Sequence, residues 1–187
     1  MILILAIVIG LSATLIRARL KNRTLKLPKF NLEWLVFLSV IPQVFAFYIP
    51  SVGRWIPESV IPYLQISTML GLVIFTVANL AHPGFWYLGL GLLSNFLVIS
   101  INGGWMPILP ETLHRMVPSK PVEAWEAGTR LGLTKDRILF LDDTKLALLS
   151  DRFTVPDWIS YKVAFSLGDI LISIGIVVLL WSLSQEQ

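Results

Sequence analysis

Asp169 asks most of its surroundings, because it is an ionisable residue placed within a long apolar stretch near the C-terminus. In such a stretch a carboxyl costs several kcal/mol unless it is paired, protonated or facing water, so a functional site is the default reading. Ser166, Asp169 and Ser173 follow at steps of three and four and form one polar stripe on a helix. A buried hydrogen bond between helices accounts for the same stripe. Two amides fall at matching depth in other apolar stretches, Gln43 beside Pro42 and Asn95 beside Ser94. At 1.5 Å per residue, Gln43, Asn95 and Asp169 each lie roughly 9 to 11 Å from the same end of their segments. Polar groups so placed seek one another, since an unpaired one in hydrocarbon is costly. Asp169 is therefore expected to bond Asn95, with Gln43 nearby beside a helix kink at Pro42 that frees the Leu38 carbonyl. The cluster suits a proton acceptor or a structural tie.

Other chemistry-bearing residues are sparse. His82 and His114 are too few and too distant for a histidine metal site; a neutral His82 imidazole suits a haem or pigment edge, but a solvated turn residue is the simpler reading. Asp142, Asp143, Asp151 and Asp157 are dense enough to consider calcium, but their spacing fits no known loop; capping and pairing with Lys145 or Arg152 is the simpler reading. Gly89-Leu90-Gly91 has no preceding strand, so its small residues imply close helix approach and not a dinucleotide turn. The absence of cysteine removes disulfides, thiolate ligands and cysteine nucleophiles. Asn22-Arg23-Thr24 matches a glycosylation acceptor, but in a segment expected inside the cell. No catalytic constellation and no metal ligand set is assigned.

The elements that must hold these residues are apolar blocks. With 55% apolar and 14% charged residues, the chain departs from the roughly 25% charged composition of soluble domains. Its blocks predict an all-α integral membrane protein, a bundle of about five transmembrane helices forming a single membrane domain. The spans are 1–16, 32–49, 63–81, 85–101 and 162–183. The first resembles no secretory signal, since its basic residues follow it. The net charge of +3 is concentrated in Arg17, Arg19, Lys21, Arg23, Lys26 and Lys29. That run is a topology signal and a lipid-headgroup contact, not a nucleic-acid patch. It places the N-terminus outside, 17–31 inside, 102–160 outside, and the tail Gln185-Glu186-Gln187 inside. Pro50, Pro57 and Pro62 interrupt the outer connection, and His82-Pro83-Gly84 makes a tight inner bend.

The extracytoplasmic segment 102–160 carries balanced charge. Asn102, Gly103 and Gly104 are expected to turn the chain sharply, with Trp105 dipping into the headgroups. Trp34, Tyr48, Trp55, Tyr63, Trp86, Tyr87, Trp158 and Tyr161 read as interface anchors too. Short helices are expected from Pro110 to before Pro118 and from Ser119 to Gly128, then a turn capped by Asp142 or Asp143 that reaches Leu149. Leu146 and Leu149 should face the membrane or a neighbour.

Taken in order, Ser94-Asn95, then Asn102-Gly103-Gly104-Trp105-Met106-Pro107, then Leu141-Asp142-Asp143-Thr144-Lys145-Leu146 through Asp151, and Ser166-Leu167-Gly168-Asp169 resemble one family. It is a family of small bacterial multi-pass membrane proteins known as domain of unknown function 5317, and the likeness covers nearly the whole chain. The resemblance implies a bacterial cytoplasmic membrane and carries over no catalytic residue. The expectation for function is a non-catalytic accessory or structural subunit of a larger membrane complex, a bioenergetic one among the candidates. Its partners would be the lipid bilayer and other membrane subunits. The competing readings are a small transporter or membrane enzyme using Asp169, and a pigment, quinone or lipid binder whose cofactor the residues leave open.

Overall fold

A computed structural model describes residues 2–156, 158–159 and 161–185. Asp157, Glu186 and Gln187, on which the calcium and C-terminal readings partly rested, lie outside the described residues, as do Met1 and Ser160. Among the described residues the chain is mostly helical, with seven α-helices: α1 (Ile2–Leu20), α2 (Trp34–Phe47), α3 (Pro50–Gly53), α4 (Ile61–Ala78), α5 (Phe85–Ile101), α6 (Pro110–Met116) and α7 (Leu167–Ser182). Two, α1 and α4, are long and apolar enough to cross a membrane; α2, α5 and α7 are apolar and shorter.

The five apolar helices pack side by side in the order α1, α7, α5, α4, α2. Gln43 reaches Thr68 near one end of the α2–α4 pair and Asn31 reaches Asn79 at the other, so these helices are antiparallel. The Asn31–Asn79 link is two-way, each side chain bonding the other's backbone or its neighbour's. Gly89 lies over Thr76 and Leu80, which makes α4 and α5 antiparallel. Pro83 and Gly84 form the bend, with Gly84 at φ +87°, and His82 is set edge-on to Phe30 and tilted against Phe85. Arg17 stacks on Trp181 at 4.3 Å and donates to its carbonyl, so α1 runs parallel to α7. Two-residue strands β1 (Thr24–Leu25) and β6 (Ser184–Gln185) close that end.

At the opposite end sits a cap, residues 102–166. Strand β2 (Met106–Ile108) pairs in parallel with β3 (Asp136–Ile138), and β4 (Phe153–Thr154) pairs with β5 (Ala164–Phe165). Ile108, Leu113 and Ile138 form the cap's own core, while Met106 enters the cluster of Met69, Val98 and Ile99 between α4 and α5. The cap is thus continuous with the helices in packing, not a detached loop.

Several boundaries differ from expectation. The last helix begins at Leu167, not at 162, because Ala164 and Phe165 are drawn into β5 and Ser166 caps the helix. Of the second short cap helix only a 3-10 turn forms, Val122–Ala124. Around 141–149 there are two 3-10 turns, separated at Leu146, which adopts φ +52°. Leu149 packs onto the Met69 cluster as a neighbour contact, whereas Leu146 stays exposed. Helix α2 contains Pro42, where a kink was expected.

A candidate site where the cap joins the helices

The N-terminus of α7 explains Asp169. Ser166 is extended at φ −100°, ψ 171°, and its Oγ accepts the Asp169 amide at 3.1 Å. Asp169 Oδ2 in turn accepts the Ser166 amide at 3.1 Å, completing a capping box that satisfies two donors otherwise orphaned at a helix start. Asp169 is therefore the third residue of its helix, not a residue about two turns inside it; the depth argument fails because the preceding residues are strand. Ser173, from the same stripe, donates to the Asp169 backbone carbonyl at 2.8 Å.

Asn95 reaches this cap from α5. Its Nδ2 donates to Asp169 Oδ1 at 3.0 Å and its Oδ1 accepts from Ser166 Oγ at 2.9 Å. Serine, asparagine and aspartate close a ring in which each Asp169 oxygen has a donor. Asn95 and Ser166 are buried. The approach is possible because residue 168 is glycine: a Cβ there would overlap the Asn95 side chain. Gln43 is not part of the ring. It donates to Thr68 at 2.8 Å, because α2 neighbours α4 and two other helices separate it from α7. Equal height along the axis did not mean equal bearing around it.

Above the ring the cap supplies charges that sequence reading left unconnected. Lys135 Nζ lies 3.4 Å from Asp151 Oδ2, so Asp151 pairs with neither Lys145 nor Arg152. The backbone holds the pair in place: Met106 N donates to the Lys135 carbonyl at 3.1 Å and Asp151 N to the Pro107 carbonyl at 3.1 Å, with β2 between them. Asp136, next in chain, and Asp169 also bear on Lys135 electrostatically. Burial alone would lower the lysine's pKa, but Asp151, Asp169 and Asp136 together raise it, and the ammonium stays charged.

The carboxyls are raised as well, which for them favours the neutral form. Burial pushes Asp151 up to about 7 against the pull of Lys135, with Asp136 and Asp169 adding like-charge repulsion. Burial likewise raises Asp136, against the pull of Lys135. Oδ1 of Asp136 and Oδ1 of Asp151 are both buried without a donor. A proton on either carboxyl would relieve the repulsion between them. The site can therefore bind a proton near neutral pH. Among the described residues no group of three His, Asp or Glu side chains is placed to hold a metal.

The turn after α5 joins the same seam. Asn102 Nδ2 donates to the Val98 and Lys145 carbonyls at 2.7 and 2.9 Å, and its Oδ1 accepts the Lys145 amide at 3.0 Å. Gly103 and Gly104 adopt φ +70° and +84°, and Gly104 is pressed against Pro62. The turn directs Trp105 inward: it is 2% exposed, beside Ala46 and Ile61, with Arg137 over its ring at 4.3 Å. The expected headgroup contact is corrected accordingly, since β2 pairing draws the chain toward α4. Trp55, Tyr48, Tyr63 and Trp158 do stand exposed. At the far end Arg19, Lys21, Lys26 and Lys29 are exposed, while Arg17 packs on Trp181.

Lys135 and Asp136 carry no motif by which sequence could have found them. The capping box was visible, as Ser166 and Asp169 stand three apart ahead of an apolar run.

A family model described as a family of unknown function, DUF5317, matches residues 28–181, and the chain belongs to that family. No curated protein and no solved structure matches the chain.

Proposed function

We propose that the protein is a multi-pass membrane protein of about five spans, serving as a non-catalytic accessory or structural subunit of a larger bacterial membrane complex. The cap would face outward and both the basic run and the C-terminus inward. The alternating directions of the five apolar helices support this, as does the apolar surface they expose, with Ile4, Phe37, Leu38 and Val77 each more than half exposed. Helices as short as α2, at 14 residues, suit a locally thinned bilayer or flanking residues that snorkel.

The observation that carries the subunit reading is the closed Ser166–Asn95–Asp169 ring. Both carboxylate oxygens of Asp169 are used to cap α7 and to tie it to α5. That ring, with Asn102 and Lys145, holds the cap rigidly on the helices. A fixed cap offers partners a preformed surface, and Phe140, Leu141, Leu146 and Leu148 lie exposed on it. Purification of the tagged chain in mild detergent tests the reading. Stoichiometric co-purification of other membrane subunits, lost when Leu146 and Leu148 are changed to serine, is expected. Recovery of the chain alone, at wild-type yield, would refute it.

A second reading is favoured by the unpaired oxygens of Asp136 and Asp151. These would make the joint a proton-handling site, as in a small transporter. It requires a pH-dependent flux in proteoliposomes that Asp151→Asn abolishes.

A further inference from the structure

Away from the carboxyl joint, a cleft of about 540 Å³ opens between the α3 connection and the cap, lined by Gly53, Arg54, Glu58, Gly128, Arg130 and Gly132, among others. Its charge is unbalanced. The only acidic side chain among the lining residues is Glu58, and it is engaged by Arg137 at 2.6 Å. Arg130 donates from Nε to the Thr134 carbonyl at 2.8 Å and from Nη2 to the Leu133 carbonyl at 2.7 Å, leaving Nη1 without an acceptor among the described residues. Its guanidinium is further fixed over the Trp105 and Phe47 rings at 5.5 and 5.9 Å. Burial lowers the Arg130 pKa; Glu58 opposes this and Arg137 adds to it. Arg54, which also lines the cleft, is exposed and its side chain has no ion-pair or hydrogen-bond partner among the described residues.

Two further features make this a receptacle and not a solvated charge patch. Gly128 and Gly132 take φ +83° and +57°, and a Cβ at either would meet nothing within 4 Å, so the cap wall is bare backbone facing open space. The exposed Trp55 adjoins Arg54 in the chain, and Tyr48 and Tyr63 flank the same connection. Aromatics of this kind favour the headgroup level of a bilayer. A fixed guanidinium and a free one lining one cleft fit a tetrahedral oxyanion, which arginine contacts through charge-assisted bonds.

We infer that the cleft between Arg54 and Arg130 binds a phosphate group, carried either by an anionic lipid headgroup or by a soluble phosphoester. The inference goes beyond the subunit reading, and its test does not depend on a partner protein. The full chain is purified, delipidated in detergent and titrated with inorganic phosphate; in parallel it is placed in nanodiscs of phosphatidylcholine with and without phosphatidylglycerol, and retained lipid is counted. Saturable phosphate binding in detergent identifies a soluble phosphoester as the source. Retention of phosphatidylglycerol over phosphatidylcholine identifies a headgroup. In either arm Arg54→Gln and Arg130→Gln should each weaken binding about tenfold or more, the loss of one charge-assisted hydrogen bond. Arg19→Gln, at the far end, should leave it unchanged. Arg54 makes no side-chain contact that folding needs, so its variant keeps the test decisive if Arg130→Gln does not fold. Binding in neither arm, or equal binding by wild type and Arg54→Gln, overturns the inference.

Discussion

Asp169 and Asp151 occupy one joint and yet have opposite characters. Asp169 has a donor for each oxygen; Asp151 has one lysine on one oxygen and no donor on the other. Ser166→Ala, which breaks the capping box and one link to Asn95, should cost about 1 to 2 kcal/mol in thermal or denaturant unfolding. For Asp151 the pH dependence follows from the direction of its shift. Its pKa rises from 3.8 to about 7 on folding, so the folded chain holds the proton more tightly than the unfolded one. That contribution to stability is complete below the unfolded value and is lost as pH rises through about 7. Hydrogen exchange at the β2 amides, corrected for intrinsic rate, should accelerate between pH 5 and 8, and Asp151→Asn should flatten the change. Protection that grows over that interval would contradict a carboxyl raised by burial at Asp151. Sequence made Asp169 stand out and left Asp151 inconspicuous. Hydrophobic context marks a lone carboxyl in an apolar run; it gives no sign that a polar loop will fold back and bury its own.

At the scale of elements, the closest association is between α5 and α7, and it rests on glycines seven apart. Gly84, which caps α5, and Gly91 within it face Gly175 and Gly168 on antiparallel α7. A Cβ on Gly91 would stand 2.5 Å from the Gly168 carbonyl oxygen, and one on Gly168 would stand 2.7 Å from that of Gly91. The other pair repeats the reciprocity, since a Cβ on Gly175 would lie 2.8 Å from the Gly84 oxygen. Backbone therefore meets backbone, and no side chain fits between. Gly91→Ala should cost about 1 to 3 kcal/mol through overpacking. Gly89, two residues away, would bring a Cβ only into ordinary contact with Thr76 at 3.7 Å. Gly89→Ala should be neutral or slightly stabilising, because alanine is the better helix former by about 1 kcal/mol. Unfolding of the two variants in the same detergent gives the comparison, and equal effects would show that the seam is looser than drawn. The small-residue string was legible as a helix contact. Which glycine faced the partner was not, because that depends on the bearing of α7. The same gap misplaced Gln43: its height was inferred from the chain, while its partner Thr68 was set by the order in which helices pack.

For the whole molecule, the apolar blocks were readable to within a few residues, α5 at both ends, because hydropathy and Gly-Pro punctuation act locally. The cap was not readable in the same way. Its strands are two or three residues long and are held by non-local pairing, as with Met106 opposite Asp136. The cap also determines where the last helix starts, since β5 takes residues that composition assigned to a span. One arrangement of the five apolar helices about a bilayer places every exposed lysine of the basic run at one end and the charge-balanced cap at the other. In the proposed five-span arrangement, the positive-inside rule would place the basic run inside. The chain has no cysteine, so a single introduced one reports its own side of the membrane. Lys21 and Glu123 are suitable sites, both exposed and at opposite ends; Lys135, held by Asp151, is not. In intact cells an impermeant thiol reagent should label Glu123→Cys and spare Lys21→Cys until the membrane is permeabilised. Labelling of both from outside would mean that the helices do not cross. The reverse pattern would mean that the basic run faces out, and would require the cap, with its protonatable joint and its arginine cleft, to face the cytoplasm.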